Sequence, residues 1–138
     1  MKFIKLNTTK LVNVNIQKYK IDWNRKVSAP QKKVKDFLFP FWSANIVLEE
    51  FIIPGSKFRI DLLNLTHKIA IEVSPRALHV NYNKFMHGNR VGFLDKLKAD
   101  TQKMVWAENN GFKFIELYDE EINNLSKNLF EEKFGVIL

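Results

Sequence analysis

Two short apolar segments of this sequence each carry one carboxylate: KFRIDLL at residues 57–63 and KIAIEV at residues 68–73. Side chains alternate along a strand, so Phe58, Ile60 and Leu62 are expected to share one face, and Ile69, Ile71 and Val73 one face of the next strand. Asp61 and Glu72 then fall on the other side of each. If NLTH at 64–67 is the turn and Asn64 faces Ile69, a regular hairpin sets Asp61 directly opposite Glu72, with Cβ atoms roughly 5 Å apart. Like charges so opposed destabilise a hairpin unless something offsets them. Arg59, expected on the same face, is one offset, and a divalent cation is a better one. Oxygen donors in a chain without cysteine suit Mg²⁺ or Mn²⁺. A solvated sheet face carries the same spacing, so the spacing alone leaves both readings open.

The surrounding elements must position this pair. Residues 10–23 alternate apolar and polar, which predicts one or two strands presenting Lys10, Lys18 and Lys20 outward. Ser28 followed by Pro30 opens a helix with Val34, Phe37, Leu38 and Phe41 on one side, which Pro40 should end or kink. A strand is expected at 46–53, closed by Pro54-Gly55, ahead of the hairpin. Residues 75–92 read as an irregular, candidate functional loop. A helix follows at 93–109 with Leu94, Leu97, Thr101, Met104 and Val105 inward, stopped by Gly111. A strand at 112–118 and a helix at about 119–132 complete the chain. Strands, helix, three strands, helix, strand and helix make an α/β or α+β arrangement around one sheet.

With 138 residues, 46% of them hydrophobic, the chain suits one domain with its own core. No apolar run is long enough to span a bilayer, and the first ten residues lack the apolar region of a signal peptide. An intracellular, cytoplasmic location is the expectation. The net charge of +7 is concentrated: residues 1–36 hold ten Lys and Arg against Asp22 and Asp36, and the remainder is nearly balanced. A basic arm of this kind suggests a polyanionic partner. Lys10, Lys18, Lys20, Arg25, Lys26, Lys32, Lys33 and Lys35 are candidate phosphate contacts, with Arg59 beside the hairpin. Asn13, Asn15 and Gln17 alternate on the expected first strand, where such side chains can read adenine in a major groove; solubility is the plainer reason for them. Trp23 and Trp42 read as core.

The run EEFIIPGSKFRIDLLNLTHKIAIEVSP resembles the core of PD-(D/E)XK nucleases, and the resemblance covers about residues 28–122. It rests on Glu50-Phe51 with Pro54, Arg59-Ile60-Asp61, and Ile71-Glu72-Val73. The loop histidines His79 and His87, then Asp100 with Lys103, Gly111 and Phe114-Ile115-Glu116-Leu117 also follow the order of its phage and very-short-patch-repair-like branches. The resemblance implies a restriction-endonuclease-like central mixed β-sheet flanked by helices, with 1–27 as a basic N-terminal β arm and 28–138 as the nuclease core. It implies a metal-dependent, site-specific endonuclease acting on double-stranded DNA. Small lysine-rich members with a Trp in the helix (Trp106 here) look like phage free-standing homing endonucleases, which would act in the host cytoplasm.

By the same resemblance Asp61 and Glu72 hold the metal, with the Val73 carbonyl as a further ligand and Glu50 completing the shell or anchoring a second metal. The family's usual lysine position is Ser74 here, and Lys103 is the candidate replacement, on a stripe with Lys96 and Asp100 away from the apolar face. His79 is a candidate acid or phosphate contact, His87 a weaker one, and His67 has no role. A symmetric dimer would cut both strands; a monomer would tend to nick. The alternatives are a catalytically inactive DNA-binding module of the same fold, a repair or junction-resolving nuclease, and an RNA-binding protein.

Overall fold

The structure is a computed structural model that describes the backbone of residues 1–74 and 90–138 and the side chains of 1–74 and 98–138. Strands β1 (Lys2–Ile4) and β2 (Leu11–Asn13) form a two-stranded antiparallel ribbon. A 3₁₀ turn (Ile16–Tyr19), helix α1 (Ala29–Trp42) and strands β3 (Val47–Ile52), β4 (Arg59–Asn64) and β5 (Ile69–Val73) follow. Helix α2 (Arg90–Asn109) leads to β6 (Lys113–Leu117), and the chain closes with α3 (Asp119–Ile122) and α4 (Lys127–Phe134). The main sheet has the order β3-β4-β5-β6, antiparallel except for the parallel β5–β6 pair. The protein is therefore a mixed α/β structure with a four-stranded mixed sheet, a two-stranded ribbon and helices.

Two clusters of buried side chains lie on the two faces of the sheet. On one, Val34, Leu38 and Trp42 of α1 meet Val47, Leu62, Ile69, Ile71, Ile115 and Leu117, with Ile122 and Phe130 beside them. On the other, Trp106 and Ala107 of α2 meet Leu48, Phe51, Ile60, Leu63 and Ala70. Phe3 and Leu6 belong to this second cluster, so the basic arm shares a core with the sheet. The ribbon is tied to α2 by polar contacts: Trp106 Nε1 donates to the Ile4 carbonyl at 2.8 Å, and the Ile4 amide donates to Asn110 Oδ1 at 2.7 Å. Its turn also leans on the β3–β4 turn, where Leu6 N donates to the Pro54 carbonyl. A Cβ at Gly55, whose φ is +85°, would meet Lys5 Cγ at 2.6 Å, so only glycine suits both the turn and the approach.

Several expectations change. The stretch 10–23 is not one long strand: after β2, Asn15 Oδ1 accepts from Gln17 N and starts the 3₁₀ turn. Asn13, Asn15 and Gln17 therefore do not form the strand row that base reading required. Pro40 neither stops nor shortens α1 at once; the helix runs on to Trp42, where its last turn ends. Ser28 sits at the N-cap, but its hydroxyl makes no capping bond. The final helix is two helices, because Ser126 caps a new one by accepting from Leu129 N at 3.0 Å. On α2, Met104 and Val105 are exposed while Lys103, Trp106 and Ala107 are buried, so the inward stripe is rotated from the expected one. Trp42 is core as expected, whereas Trp23 is half-buried. Leu94, Leu97 and Lys96 lie outside the described side chains. Among the described residues no helix is long and apolar enough to cross a membrane.

Candidate metal centre

The hairpin forms in the expected register: Leu62 pairs with Ile71, Leu63 with Ala70 and Asn64 with Ile69. The ladder ends there. Beyond it, at Asp61, Glu72 and Val73, side chains take over from the backbone. Asp61 Oδ2 accepts a hydrogen bond from Val73 N at 2.8 Å, and the Asp61 and Glu72 carboxyl groups are within hydrogen-bond reach of each other. Glu72 is buried, and Lys103 Nζ donates to its Oε2 at 2.7 Å. Lys103 therefore points into the sheet, not away from the core: α2 crosses β5 on this face, and one turn beyond Lys103 its Trp106 and Ala107 fill the cluster beneath.

The faces of β4 are not those of a regular strand. Ile60 packs with the α2-side cluster and Leu62 with the α1-side cluster, although alternation predicts one shared face. The same phase change occurs in β3, where Leu48 and Phe51 join the same cluster with two residues between them. Its origin is Glu50, a non-glycine residue with φ +48° in mid-strand. Pairing is regular on either side, Glu49 with Leu62 and Phe51 with Ile60, and the intervening pair of Glu50 and Asp61 is missing. The irregularity therefore sits at the two acidic residues.

Glu50 is not brought to the carboxylate pair. Its Oε2 lies 3.0 Å from Arg25 Nη2. Arg25 Nε also meets Glu49 Oε1 at 3.3 Å, so one guanidinium grips two adjacent glutamates. Glu49 is buried and has further partners: Lys35 Nζ at 2.9 Å and Asp22 N at 3.1 Å. Lys35, expected to meet phosphate, is instead fully buried, because it shares the inward side of α1 with Val34 and Leu38. Its ammonium also donates to the Asp22 carbonyl at 2.6 Å and reaches the Arg25 carbonyl.

On the other side of Glu72, parallel register pairs it with Glu116 of β6. Ser74, at the family's lysine position, is buried, and its hydroxyl donates to Glu116 Oε1 at 3.1 Å. Burial and then Asp100 raise the Glu116 carboxyl, while hydrogen bonds from Tyr118 and Ser74 pull it down. The Tyr118 hydroxyl is pushed up to about 12, first by burial and then by Glu116. Glu116, Asp100 and Tyr118 thus form a second polar group beside the first. Sequence reading assigned Glu116 and Tyr118 no role, since only the β5–β6 register, set across a long crossover, places Glu116 next to Glu72. His79 and His87 lie outside the described residues. Of the basic residues, Lys10, Lys18, Lys20, Lys26, Lys33 and Arg59 are exposed. Lys18 lies over the Tyr19 ring, and Lys32 is held by Asp36 and the Trp23 carbonyl. Arg59 makes no ion pair with a described residue, and it pairs with Ile52 at the far side of the irregularity.

The donor set fits a hard divalent cation. Two carboxylates lie close enough to shift each other's protonation, one of them is buried, and Lys103 Nζ shows that the buried one takes a cationic partner. Among the described residues no three acidic or histidine side chains converge as a ready-made metal group. Burial, followed by Asp61, pushes Glu72 up from 4.5 to about 9, against the opposing pull of Lys103. At neutral pH the pair therefore retains a proton. The unfolded chain gives this proton up at lower pH, so the stability it contributes is full below 4.5 and is lost as pH rises toward about 9. In EDTA, Tm should fall across this window, and Asp61→Asn should flatten the fall. Divalent binding must displace the same proton, so Mn²⁺ uptake at neutral pH should release about one proton, read by calorimetry in buffers of different ionisation heat.

No family model, curated protein or solved structure matches this chain.

Proposed function

We propose that the protein is a metal-dependent endonuclease of the PD-(D/E)XK kind, with a restriction-endonuclease-like fold, that hydrolyses phosphodiester bonds in double-stranded DNA. The observation that carries this reading is the Asp61–Glu72 carboxyl pair with Lys103 Nζ 2.7 Å from Glu72. The order antiparallel, antiparallel, parallel, with α2 between β5 and β6, supports it. So does the separation of the basic arm from the acidic pair in sequence together with its packing against the same sheet.

Asp61 and Glu72 would hold a Mg²⁺ or Mn²⁺ ion, with the Val73 carbonyl within the same turn of chain. When bound, the ion supplies Lewis-acid activation of the phosphate and of the attacking water. Asp61 is kept in place by the Val73 amide, which fixes one oxygen and leaves the other to bind. Lys103 would take the part of the family's lysine, absent at Ser74: held at Glu72, its ammonium would stabilise the charge that builds on the phosphoryl oxygens. The exposed basic residues of the arm, with Arg59, would contact backbone phosphates and give binding that weakens steeply with salt. A phage free-standing homing endonuclease is the biological role proposed, acting in the host cytoplasm as a nicking monomer or a double-strand-cutting dimer.

The test is cleavage of supercoiled plasmid by wild type in Mg²⁺ and in EDTA. Relaxed or linear product only in Mg²⁺ is the expected result; an intact plasmid under both conditions leaves a DNA-binding module without enzymatic activity. Lys103→Met should lower kcat by roughly 10²-fold while leaving duplex affinity within about twofold, measured by single-turnover cleavage and fluorescence anisotropy.

A further inference from the structure

The missing pair in the β3–β4 ladder lies between an acidic residue already in the proposed site and one held out of it. By register Glu50 stands across from Asp61, because Glu49 faces Leu62 and Phe51 faces Ile60. Yet its carboxylate is engaged by Arg25 at 3.0 Å, and its backbone is left-handed at φ +48°. A non-glycine residue in that conformation costs roughly 1–2 kcal/mol, so something must hold it there. The guanidinium is placed to act as that restraint: it bridges Glu49 and Glu50 and links the irregular step of β3 to the arm.

We propose that Arg25 is a positioning residue that keeps Glu50 away from Asp61 and Glu72 until a backbone phosphate of duplex DNA takes its guanidinium. This rests on the reading of Asp61 and Glu72 as a metal site, and it adds how the third carboxylate arrives. The two glutamates differ in what they would lose. Glu49 keeps Lys35 and the Asp22 amide if Arg25 departs. Among the described residues Arg25 is the one ion-pair partner of Glu50. Release therefore frees Glu50 selectively and leaves the buried Lys35–Glu49 anchor in place. The Arg25 side chain is 44% exposed, precedes Lys26 and belongs to the basic arm, so a phosphate can reach it. A guanidinium grips phosphate with the same paired N–H geometry it uses for carboxylate. The freed Glu50 carboxylate then has a cation to face, and β3 can return toward regular pairing opposite Asp61.

The test is Mn²⁺ titration by calorimetry without DNA, on folded wild type, Asp61→Asn, Arg25→Gln and the double variant Arg25→Gln/Glu50→Gln. Removing the restraint should raise affinity: Arg25→Gln is expected to bind Mn²⁺ about tenfold more tightly than wild type, since each added carboxylate ligand strengthens a hard-cation site. The double variant should lose that gain. Arg25→Lys, which keeps the charge but not the two-pronged grip, should fall between wild type and Arg25→Gln, and it serves if Arg25→Gln does not fold. If Arg25→Gln and Arg25→Lys bind Mn²⁺ no better than wild type while Asp61→Asn binds none, the positioning role is overturned and the metal site stands. If Asp61→Asn binds Mn²⁺ as wild type does, or wild type binds none, both fall.

Discussion

Asp61→Asn should reduce Mg²⁺-dependent cleavage of duplex DNA on the order of 10³-fold or more, with the fold intact. The loss corresponds to about 4 kcal/mol of transition-state stabilisation, the scale expected when a carboxylate ligand is withdrawn from a catalytic ion. Asparagine matches aspartate in shape, and its side-chain carbonyl can still accept from the Val73 amide, the bond that ends the β4–β5 ladder. Only the charge goes. Glu72 also loses the neighbour that helps hold its proton, so its pKa should fall, with burial still keeping it above 4.5, and its pairing with Lys103 should strengthen. Thermal stability at neutral pH should therefore be unchanged or higher. A rate within threefold of wild type, on a sample with an unaltered melt, would remove Asp61 from the chemistry.

The second large effect is on stability. Lys35→Ala should destabilise the protein by about 3–5 kcal/mol, the usual cost of leaving a buried charge without its partner. Lys35 is fully buried and satisfies three acceptors: the Asp22 and Arg25 carbonyls and the Glu49 carboxylate. Alanine also leaves space where the aliphatic stem packed. The loss is large beside the ~5–15 kcal/mol that stabilises a typical domain, and urea denaturation measures it. Lys35→Met keeps the stem and should cost less, since Arg25 and the Asp22 amide still meet Glu49. Lys26→Ala on the exposed arm should stay within about 0.5 kcal/mol. A Lys35→Ala variant as stable as Lys26→Ala would show that the buried pair contributes nothing.

The part of the site legible in the sequence is the part set by local rules. A turn between two apolar runs fixed where Asn64 and Ile69 pair, and with them the register that carries Asp61 and Glu72 toward one end of the hairpin. Glycine at position 111, with φ +81°, ended α2 as expected. What escaped depended on tertiary context. A glutamate with left-handed backbone in mid-strand contradicts its own propensity, so no alternation rule locates the phase change at Glu50. Lysines at 35 and 103 read as solvent-facing because charge normally faces water, yet each is turned inward by a buried glutamate, Glu49 and Glu72 respectively. The alternating stretch after β2 yielded to Asn15, whose side chain caps a 3₁₀ turn. Parallel register between β5 and β6, which brings Glu116 to Glu72, is set by a crossover of many residues and leaves no local trace.

The most direct measurement is a crystal structure of the protein grown with Mn²⁺, with the ion located by its anomalous scattering. A peak is expected about 2.0–2.3 Å from one oxygen of Asp61 and one of Glu72, with Lys103 Nζ displaced from Glu72 Oε2 or sharing it. Full Mn²⁺ occupancy elsewhere, with the Lys103–Glu72 pair unchanged and no ion at Asp61, would contradict it.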